Sequence, residues 1–220
     1  MRPLRATSGV ADWRALLADP DRHWRPGYSA MAAAQSWEAG FPPEVARVLG
    51  ADAELQLAIV EHKVPLPGGG APSQCDVFAL VHADARDMAV AVEAKVAEPF
   101  GPLLSEWRRE PSPGKDARLG AICGWLGVGP PPGDLRYQLF HRSAAAIAEA
   151  RRFRRPVAAM IVQSFSTERL WFDDYAAFCR FLSGSAPEPD EAQDVGLPDG
   201  MTLRLGWATG DVRHLGGVAA

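Results

Sequence analysis

Residues 73–101 read SQCDVFALVHADARDMAVAVEAKVAEPFG, two apolar runs joined by the polar stretch ADARD. Such runs predict two central strands and a hairpin between them. The difficulty is charge. Asp76 stands at the start of the first run, and Glu93 and Lys95 sit inside the second, where an ionised group is costly unless it is paired, hydrogen-bonded or metal-bound. A four-residue loop at 84–87 pairs Ala83 with Met88, which sets Asp76 across from Lys95 with Glu93 one diagonal step away. A slip of two residues sets Asp76 across from Glu93 instead. Alternation keeps Asp76, Glu93 and Lys95 on one face in both registers, whereas a one-residue slip puts Ala94 opposite Asp76 and scatters the trio. Opposed Cβ atoms lie ~5 Å apart and diagonal ones ~7–8 Å, close enough for two carboxylates to share a divalent cation.

Working outward, residues 27–40 predict an alanine-rich helix stopped by Gly40, and 41–50 a second helix with proline in its first turn. Everything before them reads as a polar start. The segment 53–64 is a strand candidate, followed by the breaker-rich loop PLPGGGAPSQ at 65–74. Beyond the hairpin, 102–110 and 115–127 predict helices bounded by proline and glycine. Residues 134–153 carry the strongest helical pattern, with Asp134 as N-cap and Leu135, Leu139, Ala146, Ala150 and Phe153 near one stripe. A buried strand at 156–166, a helix at 171–183, an acidic proline-rich loop at 184–200 and a strand at 201–208 complete the order. The expectation is an α/β (α+β) fold, a mixed central β-sheet flanked by helices in one domain. Residues 1–52 would form a helical cap, 53–166 the core, and 167–220 a C-terminal helix, acidic loop and terminal strand.

The 220 residues are 47% hydrophobic and 23% charged, enough for one sizeable core. No 18-residue apolar run occurs, and the first residues lack the apolar stretch and cleavage site of a secretory signal, so a soluble, cytoplasmic protein with no membrane partner is expected. Cys75, Cys123 and Cys179 are odd in number and far apart; they predict reduced, buried thiols rather than a zinc site. The net charge is −4, but residues 101–155 hold ten basic against five acidic side chains. Contact with nucleic acid would have to use that local basic region.

Two readings fit the trio. Two carboxylates offer hard oxygen ligands to Mg²⁺ or Mn²⁺, which retains waters and binds phosphate oxygens, and an adjacent ammonium orients or helps deprotonate a water. The other reading is a structural salt bridge at a sheet edge. The pattern Asp76-x16-Glu93-Ala94-Lys95 on a hairpin, preceded by a helix and strand and followed by a helix and strand, resembles the PD-(D/E)XK nuclease superfamily, which has the restriction-endonuclease-like fold. The wider stretch, with VEAKVAEPFGP, SPGK, LRYQLFHRSAAA and VQSFS, resembles an uncharacterised bacterial family usually placed in that superfamily; the likeness spans roughly 27–208. It implies a metal-dependent nuclease acting on DNA. Asp76 and Glu93 would be the metal-binding acids, the Ala94 carbonyl a further ligand, Lys95 the catalytic lysine, and Gln138 the glutamine that members carry on the helix after the second strand. A further acid from the first helix would be Glu38 or Glu44, with Glu54 a weaker third. Cys75 stands where the superfamily has proline. Many relatives dimerise, which leaves a homodimer open, and the fold is also reused as an inactive binding scaffold.

His141 and Arg142 flank Gln138 and are candidates for phosphate contact, though a polar helix flank explains them as well. The cluster Arg151, Arg152, Arg154 and Arg155 suits a solvated helix end, where cations complement the dipole. Lys115 in SPGKD lacks the glycine spacing of a phosphate loop, and GGG at 68–70 precedes a strand instead of a helix. No Gly-x-Ser-x-Gly elbow or His-Glu-x-x-His spacing occurs. Trp37, Trp107, Trp125, Trp171 and Trp207 lie in apolar surroundings that point to core packing.

Overall fold

The computed structural model describes residues 7–17 and 19–216. Four short helices lead the chain: α1 (Val10–Arg14), α2 (Pro20–His23), α3 (Ser29–Glu38) and α4 (Pro43–Leu49). Strands β1 (Glu54–Val64), β2 (Ser73–Ala83) and β3 (Arg86–Lys95) follow, then helices α5 (Leu104–Trp107), α6 (Pro113–Leu126) and α7 (Tyr137–Phe153). Strand β4 (Val157–Ser164), helix α8 (Phe172–Ser183), strands β5 (Ala192–Gly196) and β6 (Thr202–Thr209) and a 3-10 turn at Val212–Leu215 complete it. The strands form one sheet in the order β1-β2-β3-β4-β6-β5. β4 runs parallel to both β3 and β6, and the other three pairs are antiparallel. The fold is therefore mixed α+β, with helices on both faces of the sheet.

Two cores explain the strand sequences. On one face α5 to α8 pack over Phe78, Leu80, Ala89, Ala91, Met160 and Trp207. On the other, α1, α3 and α4 cover Val77, Ala79, Val90, Val92, Ala94 and Ile161. All eight residues of β4 are buried, as a parallel strand covered on both faces requires, and its sequence accordingly reads as one apolar run. Trp37 and Trp207 are buried, and Trp107, Trp125 and Trp171 pack partly buried at the edge of the cores. All three cysteines are free and buried.

Several expectations are corrected. The hairpin loop is two residues, not four: Ala83 pairs with Arg86, and Asp84 (φ 50°) and Ala85 (φ 58°) both take the left-handed conformation that a two-residue hairpin demands. Asp84 is held there by two bonds, its N–H to Asp52 Oδ1 (2.8 Å) and its Oδ2 to Arg204 Nη1 (2.9 Å). Helix α7 starts at Tyr137, and Asp134 does not cap it. The carbonyls of Gly133 and Leu135 accept from Ser105 and Leu104, so this segment is committed to α5, and the Tyr137 N–H finds the Pro102 carbonyl. The helix expected at 102–110 shrinks to the single turn of α5. The acidic loop at 184–200 contains β5, which has no apolar alternation; the free edge of β6 and the Asp194–Arg204 ion pair (2.8 Å) make it a strand. The polar start contains α1 and α2, anchored by buried Trp13, whose Nε1 donates to Glu38 Oε1 at 2.7 Å.

Candidate functional site

The β2–β3 ladder runs from the turn to Val77 and Val92 and stops there. Beyond that pair the strands part. The backbone N–H of Ala94, which a β2 carbonyl would receive if pairing continued, donates instead to Asp76 Oδ2 at 2.6 Å. Register thus sets Asp76 level with Glu93, the two-residue slip rather than the arrangement that faces it to Lys95. Alternation on β1 and β2 also reverses at this level. Ile59 and Phe78 pack on the α7 side and Val60 and Val77 on the other, yet Cys75 returns to the α7 side and the His62 ring meets that of Phe78, tilted, at 4.9 Å. Between these reversals lie Asp76 and, level with it on β1, Glu61, whose φ of 52° is left-handed within a strand. Such strain in a non-glycine residue costs of order 1–3 kcal/mol and gathers at functional sites.

Glu93 is 3% exposed and both its oxygens accept hydrogen bonds. Lys95 Nζ donates to Oε1 at 2.6 Å, Gln138 Nε2 donates to the same oxygen at 2.8 Å, and Arg142 Nε donates to Oε2. Gln138 and Arg142 reach it together because they lie one turn apart on α7. Arg142 also donates to Ser73 Oγ at 2.9 Å, and Lys95 Nζ lies 5.3 Å from the centre of the Phe100 ring. Asp76, Glu93, Lys95, Gln138 and Arg142, with Glu61, line a cavity of about 640 Å³ at the end of the sheet where β2 leaves β3.

The electrostatics of the three acids diverge. Burial pushes Glu93 up, but Arg142 and Lys95 overcome it and hold the acid down at about 2. For Asp76, burial and the neighbouring Glu93 and Glu61 raise the acid well above the usual carboxylate range. For Glu61, burial outweighs the hydrogen bond from Gln74 and, with Glu93 nearby, raises it to about 7. Two of the three acids thus hold protons more tightly than a free carboxylate does.

Asp76, Glu93, Lys95, Gln138 and Arg142 come together as the sequence predicts. Glu38 and Glu44 do not. Glu38 accepts from Trp13, and Glu44 is buried on the other face, accepting from Gln163 Nε2 at 2.7 Å. Glu54 lies exposed at the far end of β1, level with His82. The third acid is Glu61, which pairing across the 65–72 loop would have found: Val64 meets Ser73, so Glu61 meets Asp76. Arg142 is committed to Glu93 and Ser73 rather than presented as a phosphate contact. His141 is turned away from the acids. It contacts Ser73 Oγ (2.9 Å) and Tyr137, and burial, with Arg142 beside it, pushes it down to about 3, so it is uncharged at neutral pH.

Several cations of the basic region are paired with acids. Arg136 pairs with Asp174, Arg151 with Asp199, Arg152 with Glu149 and Arg155 with Asp87. Lys115 and Arg118 donate to backbone carbonyls. Among the described residues no three His, Cys, Asp or Glu side chains are already arranged around a metal position, and no helix is long and apolar enough to cross a membrane. No curated protein and no solved structure matches the chain. A family model described as a domain of unknown function, DUF6946, matches residues 6–212, and the chain belongs to that family.

Proposed function

We propose that the chain is a metal-dependent nuclease that hydrolyses phosphodiester bonds in DNA at Asp76, Glu93 and Lys95. The observation that carries this reading is the cluster of three acids in the cavity wall, Glu61, Asp76 and Glu93, beside two cations, Lys95 and Arg142, that are both committed to Glu93. The resemblance of Asp76-x16-Glu93-Ala94-Lys95 to the PD-(D/E)XK nucleases points the same way.

The donor set suits Mg²⁺ or Mn²⁺ on two counts. Proton-holding carboxylates crowded together are stabilised when a divalent cation replaces the proton. In addition, Gln138 Oε1 is buried with no hydrogen-bond partner among the described residues, an acceptor left over for a ligand or its water. Asp76, Glu93 and the Ala94 carbonyl would hold the ion, with waters completing its shell. When bound, it supplies Lewis-acid polarisation of the scissile phosphate and lowers the pKa of a coordinated water. The residues do the rest. Arg142 and Gln138 fix the Glu93 carboxylate, the Ala94 N–H fixes that of Asp76, and Lys95 orients or helps deprotonate the attacking water. Glu93 has to exchange one of its present donors to take the ion.

A second reading has its own support: both Glu93 oxygens are already bonded to Lys95, Gln138 and Arg142, as in a structural ion network of a binding scaffold. One set of measurements separates the two. Nuclease activity should appear with Mn²⁺ or Mg²⁺, vanish with chelator and vanish in Asp76→Ala and Lys95→Ala. Undiminished activity in both variants would end the assignment, and calorimetry showing no Mn²⁺ binding at the wild-type site would favour the scaffold.

A further inference from the structure

The acid cavity has another wall, and its chemistry differs. Arg22 and His23 from α2 and Tyr28 at the start of α3 line the same space as Asp76 and Glu93. Among the described residues the Arg22 side chain makes no ion pair or hydrogen bond, although its backbone N–H is capped by Asp19 at 3.2 Å. Tyr28 leaves 36% of its surface exposed.

Hydrogen bonds organise this wall. Arg25 Nε and Nη2 donate to the Asp21 carbonyl at 3.2 and 3.0 Å, tying α2 to the loop that follows it. Glu98 Oε1 accepts from both the N–H and the hydroxyl of Ser29 at 2.9 Å, and Glu98 Oε2 accepts from the Val96 N–H at 3.0 Å. The start of α3 is therefore bound to the segment that leaves Lys95.

An uncommitted guanidinium, an imidazole and an exposed aromatic ring on one cavity wall are the recognition set for an unpaired nucleic-acid strand. Cations follow the backbone phosphates and the ring stacks on a base. In a duplex the base faces are hidden in the stack and Tyr28 has nothing to cover. The cavity is also of small-ligand size, about 640 Å³, which admits an unpaired segment rather than a double helix. We infer that the cavity takes an unpaired polynucleotide strand, with a base on Tyr28 and flanking phosphates at Arg22 and His23. This rests on the phosphodiester reading for the identity of the ligand and adds the form of the substrate and the residues that position it.

The test uses the full chain carrying Asp76→Asn, so that nothing is cut, and fluorescence anisotropy with a short labelled oligothymidylate and a blunt duplex of the same length. The single strand should bind at least about tenfold more tightly than the duplex. Tyr28→Ala should weaken single-strand binding by about tenfold. Arg22→Ala should lower the slope of log affinity against log salt by about 0.7, the loss of one phosphate contact. Arg109→Ala, an equal charge loss at an exposed position outside the cavity, should change neither. Equal or tighter duplex binding, an unchanged Tyr28→Ala with an unaltered melting temperature, or an Arg109→Ala defect as large as that of Arg22→Ala would overturn the inference. Metal-dependent cleavage by the wild type together with a silent Tyr28→Ala sinks this inference and spares hydrolysis. Tyr28-dependent strand binding without any cleavage does the reverse.

Discussion

Glu93 and Glu44 are both buried acids beside the central strands, one on each face of the sheet, at 3% and 6% exposure. Glu44 belongs to a compact polar knot. Gln163 Nε2 donates to it at 2.7 Å and to Ser36 Oγ at 3.0 Å, while Trp37 Nε1 donates to Gln163 Oε1 at 3.0 Å. Glu93 instead meets an ammonium, a guanidinium and an amide at the wall of an open cavity, with two further acids close by. Burial of an acid therefore does not by itself mark a site. What separates them is the company of cationic side chains, the neighbouring acids Glu61 and Asp76, and a place in a cavity wall.

The contrast can be broken most forcefully by rate. Asp76→Ala and Lys95→Ala should each lower metal-dependent cleavage by 10² or more, the scale of lost proton-transfer or metal assistance, whereas Glu44→Gln should leave it within about twofold in the same assay. Stability gives the next largest difference. Glu93→Ala removes the carboxylate partner of buried Lys95 and Arg142 and should cost about 3–5 kcal/mol in denaturant unfolding. Glu44→Gln keeps an acceptor for Gln163 and should cost less than about 1 kcal/mol.

A pH series sharpens the difference within the acid cavity. The Glu61 acid rises from 4.5 to about 7 on folding, so the folded chain keeps a proton that the unfolded chain has released. Its effect on stability is absent below about pH 4.5 and grows into a penalty as pH rises through 7. Glu93 runs the opposite way: its acid, held at about 2, favours folding above pH 4.5 and that benefit is lost as pH falls toward 2. With chelator present, stability should decline between pH 5 and 8, and Glu61→Gln should recover about 1 kcal/mol at pH 8. A difference between variant and parent that does not vary with pH would show that Glu61 is not the titrating group. The smallest effect belongs to the other end of the hairpin. Ala85 sits at φ 58°, so Ala85→Gly should stabilise by up to about 1 kcal/mol without altering activity.

The sequence was most legible where covalent spacing and alternation do the positioning. Glu93 and Lys95 are two positions apart along one strand, and Gln138 and Arg142 four positions apart along one helix, so each pair was bound to share a side. The register of the hairpin stayed open between two choices because ADARD has no glycine or asparagine to announce a two-residue turn. Asp84 and Ala85 adopt left-handed geometry only because Asp52 and Arg204, distant in sequence, hold the turn. Glu61 was hidden for a related reason. Its place depends on pairing across the 65–72 loop and on a left-handed residue inside a strand, neither of which alternation reveals. Helices α1 and α2, each of five residues or fewer, carry too little periodicity to stand out, and Trp13 anchors them only once α3 is present. β5 has no pattern of its own, since the edge of β6 imposes it.

The grip of Glu98 on Ser29 bears on how the molecule is made. No helix from α1 to α4 exceeds ten residues, below the ~12–15 that an isolated helix needs to persist in water. Their apolar support comes from Val90, Val92 and Ala94 of β3 and from Ile161 of β4, all synthesised later. Helices α1, α3 and α4 thus gain that support only once the hairpin and β4 have emerged, and the roof over the acids is set in place only after its floor.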